Sequence, residues 1–502
     1  MYPNILSLGI LEATHPEYSS MLPVWGEIDL LASGGYKLKQ AIELFLPQRP
    51  GEDAQTYEFR LKKFTYLNIL ASAIGDVTSK LSNSSLVVSG ADVEEINQFR
   101  TDTNLSGRDE KTLLAHLLRE ALKFKKVYLH IDKTRSEITP LNKAQEELLK
   151  IKPYITTYSP FEVINWSESK GKPQWIKVRQ VITDTSNPLL PPITKVIWTF
   201  IDSNYIARYE ASNVELDKSG AISKIEDENV NDDTTIPLVG KLIAHGLGEI
   251  PVVKLELPDE MWLTDQAAAK ALEHLRTDCA KYDLLTFAYF QRTYKKVQTP
   301  DSNFEESFAD SESGTPPTGL QYVLELDKFE WSEPQGHIIP HLMDALKQIE
   351  GQVKTLLSQG GVSAELGVVA QSGESKRMDF VKEETLLRFY GQLLSSTYQK
   401  VLQLVAKSVG YSPDLISVTG LNEFENDTLE SQISKLISLS EVDFNKLRGE
   451  IPATAYSLIY TDLISKATGN LSAEQQEQIK KEIEAKLREP LILDTPSIVL
   501  DT

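Results

Sequence analysis

The stretch "PHLMDALKQIEGQVKTLLSQGGVSAELGVVAQSGESKRMDF" (340–380) decides how this chain is read. In its first half, Ile339, Leu342, Met343, Leu346, Ile349, Val353, Leu356 and Leu357 recur at helical spacing and predict an amphipathic helix over 340–358. Its second half holds four glycines and ends on Lys376 and Arg377. Beyond it, Phe380, Leu387, Tyr390, Leu394, Tyr398, Val401 and Val405 keep one face of a helix expected over 379 to about 409. At 1.5 Å per residue that helix is roughly 45 Å long, too long for a small compact domain.

A glycine-rich loop that opens a helix with a basic residue raises the question of phosphate binding. A P-loop separates its two glycines by four residues and places Lys directly after the second. Here five residues separate Gly367 from Gly373, and Glu374 follows, so a carboxylate stands where phosphate would bind. "GVSAE" (361–365) misses the nucleophile-elbow pattern and lacks its strand–turn–helix setting. Both an NTPase and a nucleophile turn are therefore disfavoured.

Moving outward, residues 261–292 predict another helix, with Ala268, Leu272, Leu275, Cys279 and Tyr282 on one stripe. Between the two lies 300–319, with five acidic residues, no basic ones and three prolines, and then the strand-like "LQYVLELDKFEW" (320–331). Residues 151–257 are β-branched and aromatic with turns between, which predicts a β-rich unit. Its acidic insert "DENVNDDTT" (227–235) is expected to be a solvated loop. The N-terminal residues 16–85 read as helical, with Phe59, Phe64, Leu67, Leu70, Ile74 and Val77 on one helical spacing. "DEKTLLAHLLREALKFKK" (109–126) is a helix running into the strand "VYLHI" (127–131). Further helices are expected near 427–440, 441–448, 452–467 and after the capping box at Ser472 and Gln475. The fold class is α+β, mainly helical.

With 502 residues, 41% hydrophobic and 25% charged, the composition is that of a folded protein of several structural units. The single Cys279 excludes an internal disulfide framework or a Cys-rich zinc module and suggests a reducing compartment. No apolar run is long enough to span a bilayer, and the N-terminus lacks a signal-peptide pattern. A net charge of -20 argues against a general nucleic-acid binder, though not against a protein that DNA passes and leaves. The seven histidines are scattered; His337 and His341 share a helical spacing but have Pro340 between them and no metal-protease pattern. Acidic pairs such as Glu305/Glu306 and Glu383/Glu384 read as solvated faces. No enzyme, cofactor or metal site is expected.

Lys347 and Lys354 lie seven residues apart on the polar face of the 340–358 helix, either simply solvated beside Glu350 or turned towards an acidic partner. "YFQRTYKK" (289–296) interleaves aromatics with Arg292, Lys295 and Lys296, which suits either nucleic acid or a docking protein.

This element order resembles that of tailed-bacteriophage portal proteins. The N-terminal residues sharpen the likeness. His15, Pro16, Tyr18, Trp25, Leu46, Pro47, Tyr57, Arg60 and Leu61 match motifs of a portal family first catalogued as a domain of unknown function. The resemblance implies a portal fold with a wing (1–260), stem helices (261–292 and 340–358) enclosing a clip (293–339), and a tunnel loop (359–377). A long wing helix with return segment (378–425) and a crown with tail (426–502) complete it. It further implies a homo-oligomeric ring, usually a dodecamer, at one capsid vertex of the virion, assembled in the host cytoplasm. Double-stranded DNA would be packaged and ejected through its channel. Terminase large subunit, major capsid protein and head–tail adaptor would be its partners, and it would be neither an enzyme nor membrane-bound. On this reading Lys347, Lys354, Gln359, Ser372, Lys376 and Arg377 are candidates for the DNA channel. Arg292, Tyr294, Lys295, Lys296, Phe329 and Trp331 are candidates for terminase or adaptor docking.

Overall fold

The computed structural model describes residues 2–135, 149, 151–290, 338–359 and 373–421, apart from 83, 92, 190, 218 and 219. They belong to one unit, Met1–Phe424; a second unit, Glu425–Thr502, and with it the expected C-terminal helices, lies outside the described residues.

The chain opens with strand β1 (Ile5–Ser7) and six helices, α1 (Leu8–Glu12), α2 (Pro16–Ser33), α3 (Gly35–Gln40), α4 (Ile42–Phe45), α5 (Ala54–Lys62) and α6 (Ile69–Ser82). Then come β2 (Leu86–Ser89), α7 (Glu94–Thr101) and α8 (Glu110–Phe124). The β-rich stretch runs through β3 (Lys126–Lys133), β4 (Pro153–Tyr158), β5 (Val163–Ser169), β6 (Lys172–Asp184), β7 (Ile193–Ile201) and β8 (Tyr205–Ser212). It continues with β9 (Val214–Leu216), β10 (Ile222–Ile225), β11 (Glu228–Asn229), β12 (Thr235–Pro237), β13 (Ile243–Ala244) and β14 (Val252–Glu256). Three long helices, α9 (Thr264–Phe290), α10 (Ile338–Gln359) and α11 (Gly373–Ser408), lead to β15 (Ser417–Gly420). The α+β expectation holds.

Strand β3 is the wall of the molecule. It lies between β14 and β4 in an antiparallel sheet, and its side chains alternate between two cores. Val127, Leu129 and Ile131 face a helical core built from α2, α6, α8 and the three long helices. Tyr128 packs on the other side with Trp166, Val178 and Ile201 of the five-stranded antiparallel sheet β13-β8-β7-β6-β5. A third cluster forms where α1 closes over that sheet, with Leu8 and Leu11 against Trp198 and Tyr209.

The expected 109–126 helix is α8: Asp109 caps it, its carboxylate accepting from the Thr112 amide at 2.9 Å. From Leu387 onward the predicted face of α11 is buried, with Leu387, Tyr390, Leu394, Tyr398, Val401 and Val405 all in the helical core, while the side chain of Phe380 lies outside the described residues.

Two sequence readings of the stretch before the long helices differ from the structure. The apolar spacing from Phe59 to Val77 is split between α5 and α6, because residues 63–68 are not helical. Asn68 explains the break: its side chain donates to Ala32 O at 2.8 Å and accepts from the Ala71 amide at 3.0 Å, starting α6 afresh. Residues 227–235 are exposed as expected but not only a loop. The carbonyls of Asp232 and Thr234 accept from the amides of Gly9 and Leu8, and β12 pairs with β1, so the insert pins the N-terminus.

Candidate assembly and DNA-facing site

The two helices that flank 291–337 pack along each other. Ala268, Ala271, Leu275 and Cys279 of α9 are buried, as are Leu346, Ile349, Val353 and Leu357 of α10. The stripe is not buried along its whole length, for Tyr282 and Met343 are 38% and 43% exposed. Tyr282 and Met343, on the stripes expected from the sequence, are thus only partly covered among the described residues.

On the opposite face of α10, Lys347 and Lys354 are both exposed. Lys354 Nζ lies 2.9 Å from Glu350 Oε1, an exposed i,i+4 pair worth about 0.3–0.5 kcal/mol. Among the described residues Lys347 has no carboxylate partner, which makes it the freer of the two cations. Gln359 ends α10, and Lys376 and Arg377 fall within α11, but their side chains lie outside the described residues. The expected 359–377 loop is thus shorter at its far end, since 373–377 are helical. Ser372, Arg292, Tyr294, Lys295, Lys296, Phe329 and Trp331 all lie outside the described residues.

The N-terminal motif residues turn out to be joints. His15 caps α2, its Nδ1 accepting from the Glu17 amide at 3.2 Å, and its ring stacks on Trp166 at 4.1 Å. The Tyr18 hydroxyl donates to Phe161 O at 3.1 Å, and Trp25 meets Tyr18 and Phe161 edge-on. Lys126 is sealed among these rings, 4.2 Å over Trp166 and 5.6 Å over Trp25, with Glu17 2.8 Å from its ammonium. These contacts tie α2 to the β-rich stretch.

The second half of the motif builds the turn before α5. The Tyr57 hydroxyl donates to Leu46 O at 3.1 Å, and Arg60 Nη2 to Pro47 O at 2.9 Å. Arg60 also forks onto Glu52 with bonds of 2.8 and 2.7 Å. The Arg60 guanidinium, followed by the Arg49 amide, holds the Glu52 carboxyl down to about 2.

Beside this turn lies a cavity of about 220 Å³ between α5 and α9. Phe59, Phe64, Tyr282 and Cys279 supply its apolar lining, with Arg49 and Lys63 among its charged residues. Arg49 bridges to Asp283 at 2.7 Å, whereas Lys63 lies 3.8 Å over the Phe59 ring. Sequence reasoning missed this cavity. The signal available was local charge: residues 36–63 carry six cations against four carboxylates in a strongly acidic chain.

Among the described residues no group of three or more His, Cys, Asp or Glu is placed to hold a metal ion. His341 is exposed, while its proposed companion His337 lies outside the described residues. Burial pushes the Cys279 thiol up, away from the nucleophilic thiolate. No helix among the described residues is long and apolar enough to cross a membrane.

No protein-family model and no curated protein sequence matches this chain. Among solved structures, the chain is similar to one from the virion of a native gene transfer agent particle. Identity is 11%, coverage 91% of this chain and 99% of the other, and the TM-score 0.35. It is also similar to a chain from the neck of an empty gene transfer agent particle, at 10% identity, covering 87% of this chain and 97% of that one, again at TM-score 0.35.

Proposed function

We propose that this protein is a portal-type ring subunit through which double-stranded DNA passes, and that it acts as a structural component rather than an enzyme. The observation that carries the reading is the succession of α9, α10 and α11 after a β-rich stretch, with the apolar seam of α9 and α10 continuing into exposed Tyr282 and Met343. Neighbouring subunits would cover that continuation, and twelve copies are the expected number. Lys347 would face the channel and hold phosphates transiently, because a lone cation in an acidic surround attracts DNA without retaining it. On this reading the ring sits at a capsid vertex of a virion and docks terminase, capsid protein and a head–tail adaptor.

Negative-stain imaging of the purified protein tests this. Closed annuli with an axial hole are expected. A protein that stays monomeric at all concentrations, or forms particles with no hole, would overturn the portal reading.

A further inference from the structure

We propose that the cavity between α5 and α9 is a socket for a second copy of this chain, receiving one bulky apolar side chain flanked by a carboxylate. The inference rests on the ring reading and names one contact within it. At about 220 Å³ the cavity falls below the roughly 300–1,000 Å³ of small-molecule and cofactor sites. It is, however, a fitting size for a single anchoring side chain of the kind that dominates protein interfaces.

Charge selects the occupant. Arg60 and Arg49 are neutralised by Glu52 and Asp283, whereas among the described residues Lys63 has no carboxylate partner and lies over the Phe59 ring. Residues 36–63 carry a net charge of +2, so the remainder of the chain carries -22, since the whole is -20. The rest of a second copy therefore carries an excess of carboxylates, and the net-positive socket region would attract rather than repel them. Phe59, 53% exposed, offers its ring as one wall for the incoming side chain. The partner side chain would displace water from the ring faces of Phe59 and Tyr282 while its neighbouring carboxylate reached Lys63.

Cys279 lines the cavity and is the only cysteine of the chain, which provides a direct readout. Wild type, Phe59→Glu and Lys63→Glu are compared by light scattering and by the rate at which a small methanethiosulfonate reagent modifies Cys279 at alkaline pH, with Cys279→Ser as blank. Wild type should assemble, and both variants should shift to smaller species while keeping the wild-type circular dichroism. Cys279 should react about tenfold more slowly in the wild-type assembly than in the variants, as expected for a site occupied most of the time. Should Phe59→Glu fold poorly, Lys63→Glu, which alters only an exposed cation, gives the same comparison. An assembling wild type matched by both variants in size and in Cys279 rate would refute the socket and leave the ring standing. A wild type monomeric at every concentration would refute both.

Discussion

Arg60 shows how much of the N-terminal motif is architecture. Its side chain is 8% exposed and its hydrogen bonds go to Glu52 and to a backbone carbonyl, so removing it leaves the Glu52 carboxylate with the Arg49 amide alone and takes a donor from Pro47 O. Arg60→Ala should lower the melting temperature clearly, and Arg60→Lys should not restore it, because an ammonium cannot reproduce the fork. A lysine variant as stable as wild type would contradict this. The Glu52 carboxyl, held down to about 2, contributes stability that is present above its usual 4.5 and lost as pH falls towards 2. His130 acts in a higher window. It is buried in β3 with Nδ1 3.4 Å from the Tyr158 hydroxyl and, among the described residues, no partner for Nε2, and burial pushes its pKa down to about 4. The unfolded chain takes up that proton near 6.5 and the folded chain does not, so stability falls as pH drops from 6.5 to 4, by about 3 kcal/mol in all. Thermal melts across that range should show a shallower slope in His130→Asn. Part of the slope should remain, because the half-buried His116 is also pushed down to about 4.

Among the elements, α10 and α11 carry glycines with opposite meanings. Alanine in place of a mid-helix glycine gains about 1 kcal/mol from helix propensity alone. At Gly351 of α10 an added Cβ meets nothing within 4 Å, so Gly351→Ala should stabilise by that amount. At Gly391 of α11 the same Cβ would lie 1.7 Å from Leu421 O, so the helix could not keep its place beside the end of β15. Gly391→Ala should therefore destabilise in spite of propensity, and paired denaturant titrations would read the two signs. The long helices were legible because each keeps one apolar stripe through many turns, as α11 does from Leu387 to Val405. The pairing of β15 with β2 was not, since it joins Ser417 to Ser89 across more than 300 residues and neither short segment carries a distinguishing pattern. The α5–α6 break was hidden for the converse reason: the apolar period runs through it, and only the side-chain bonds of Asn68 end one helix and start the next. The helical spacing placed Lys347 and Lys354 on one exposed face, as they are, while the cavity was missed because it joins Arg49 and Phe59 to Cys279 and Tyr282.

At the scale of the whole molecule, the charge balance ties the proposed assembly to its work. If the proposed ring forms, chains at -20 each would repel DNA in its channel, so passage would depend on a few cations whose hold is brief. Lys354 is already engaged by Glu350, so on the proposed reading Lys347 would be the stronger phosphate contact on α10. Both are exposed, so reversing them should leave folding and ring formation unchanged. Lys347→Glu should reduce DNA packaging more than Lys354→Glu, and the double variant should reduce it most, since each lost phosphate contact removes its share of counterion release. The effect should shrink as salt is raised, because screening weakens exposed charges separated by more than about 8–10 Å. Packaging of DNA into particles bearing each variant, measured at two salt concentrations beside ring counts from imaging, separates the cases. Intact rings that package normally with both lysines reversed would remove α10 from the channel. Lost rings would instead place these lysines between subunits.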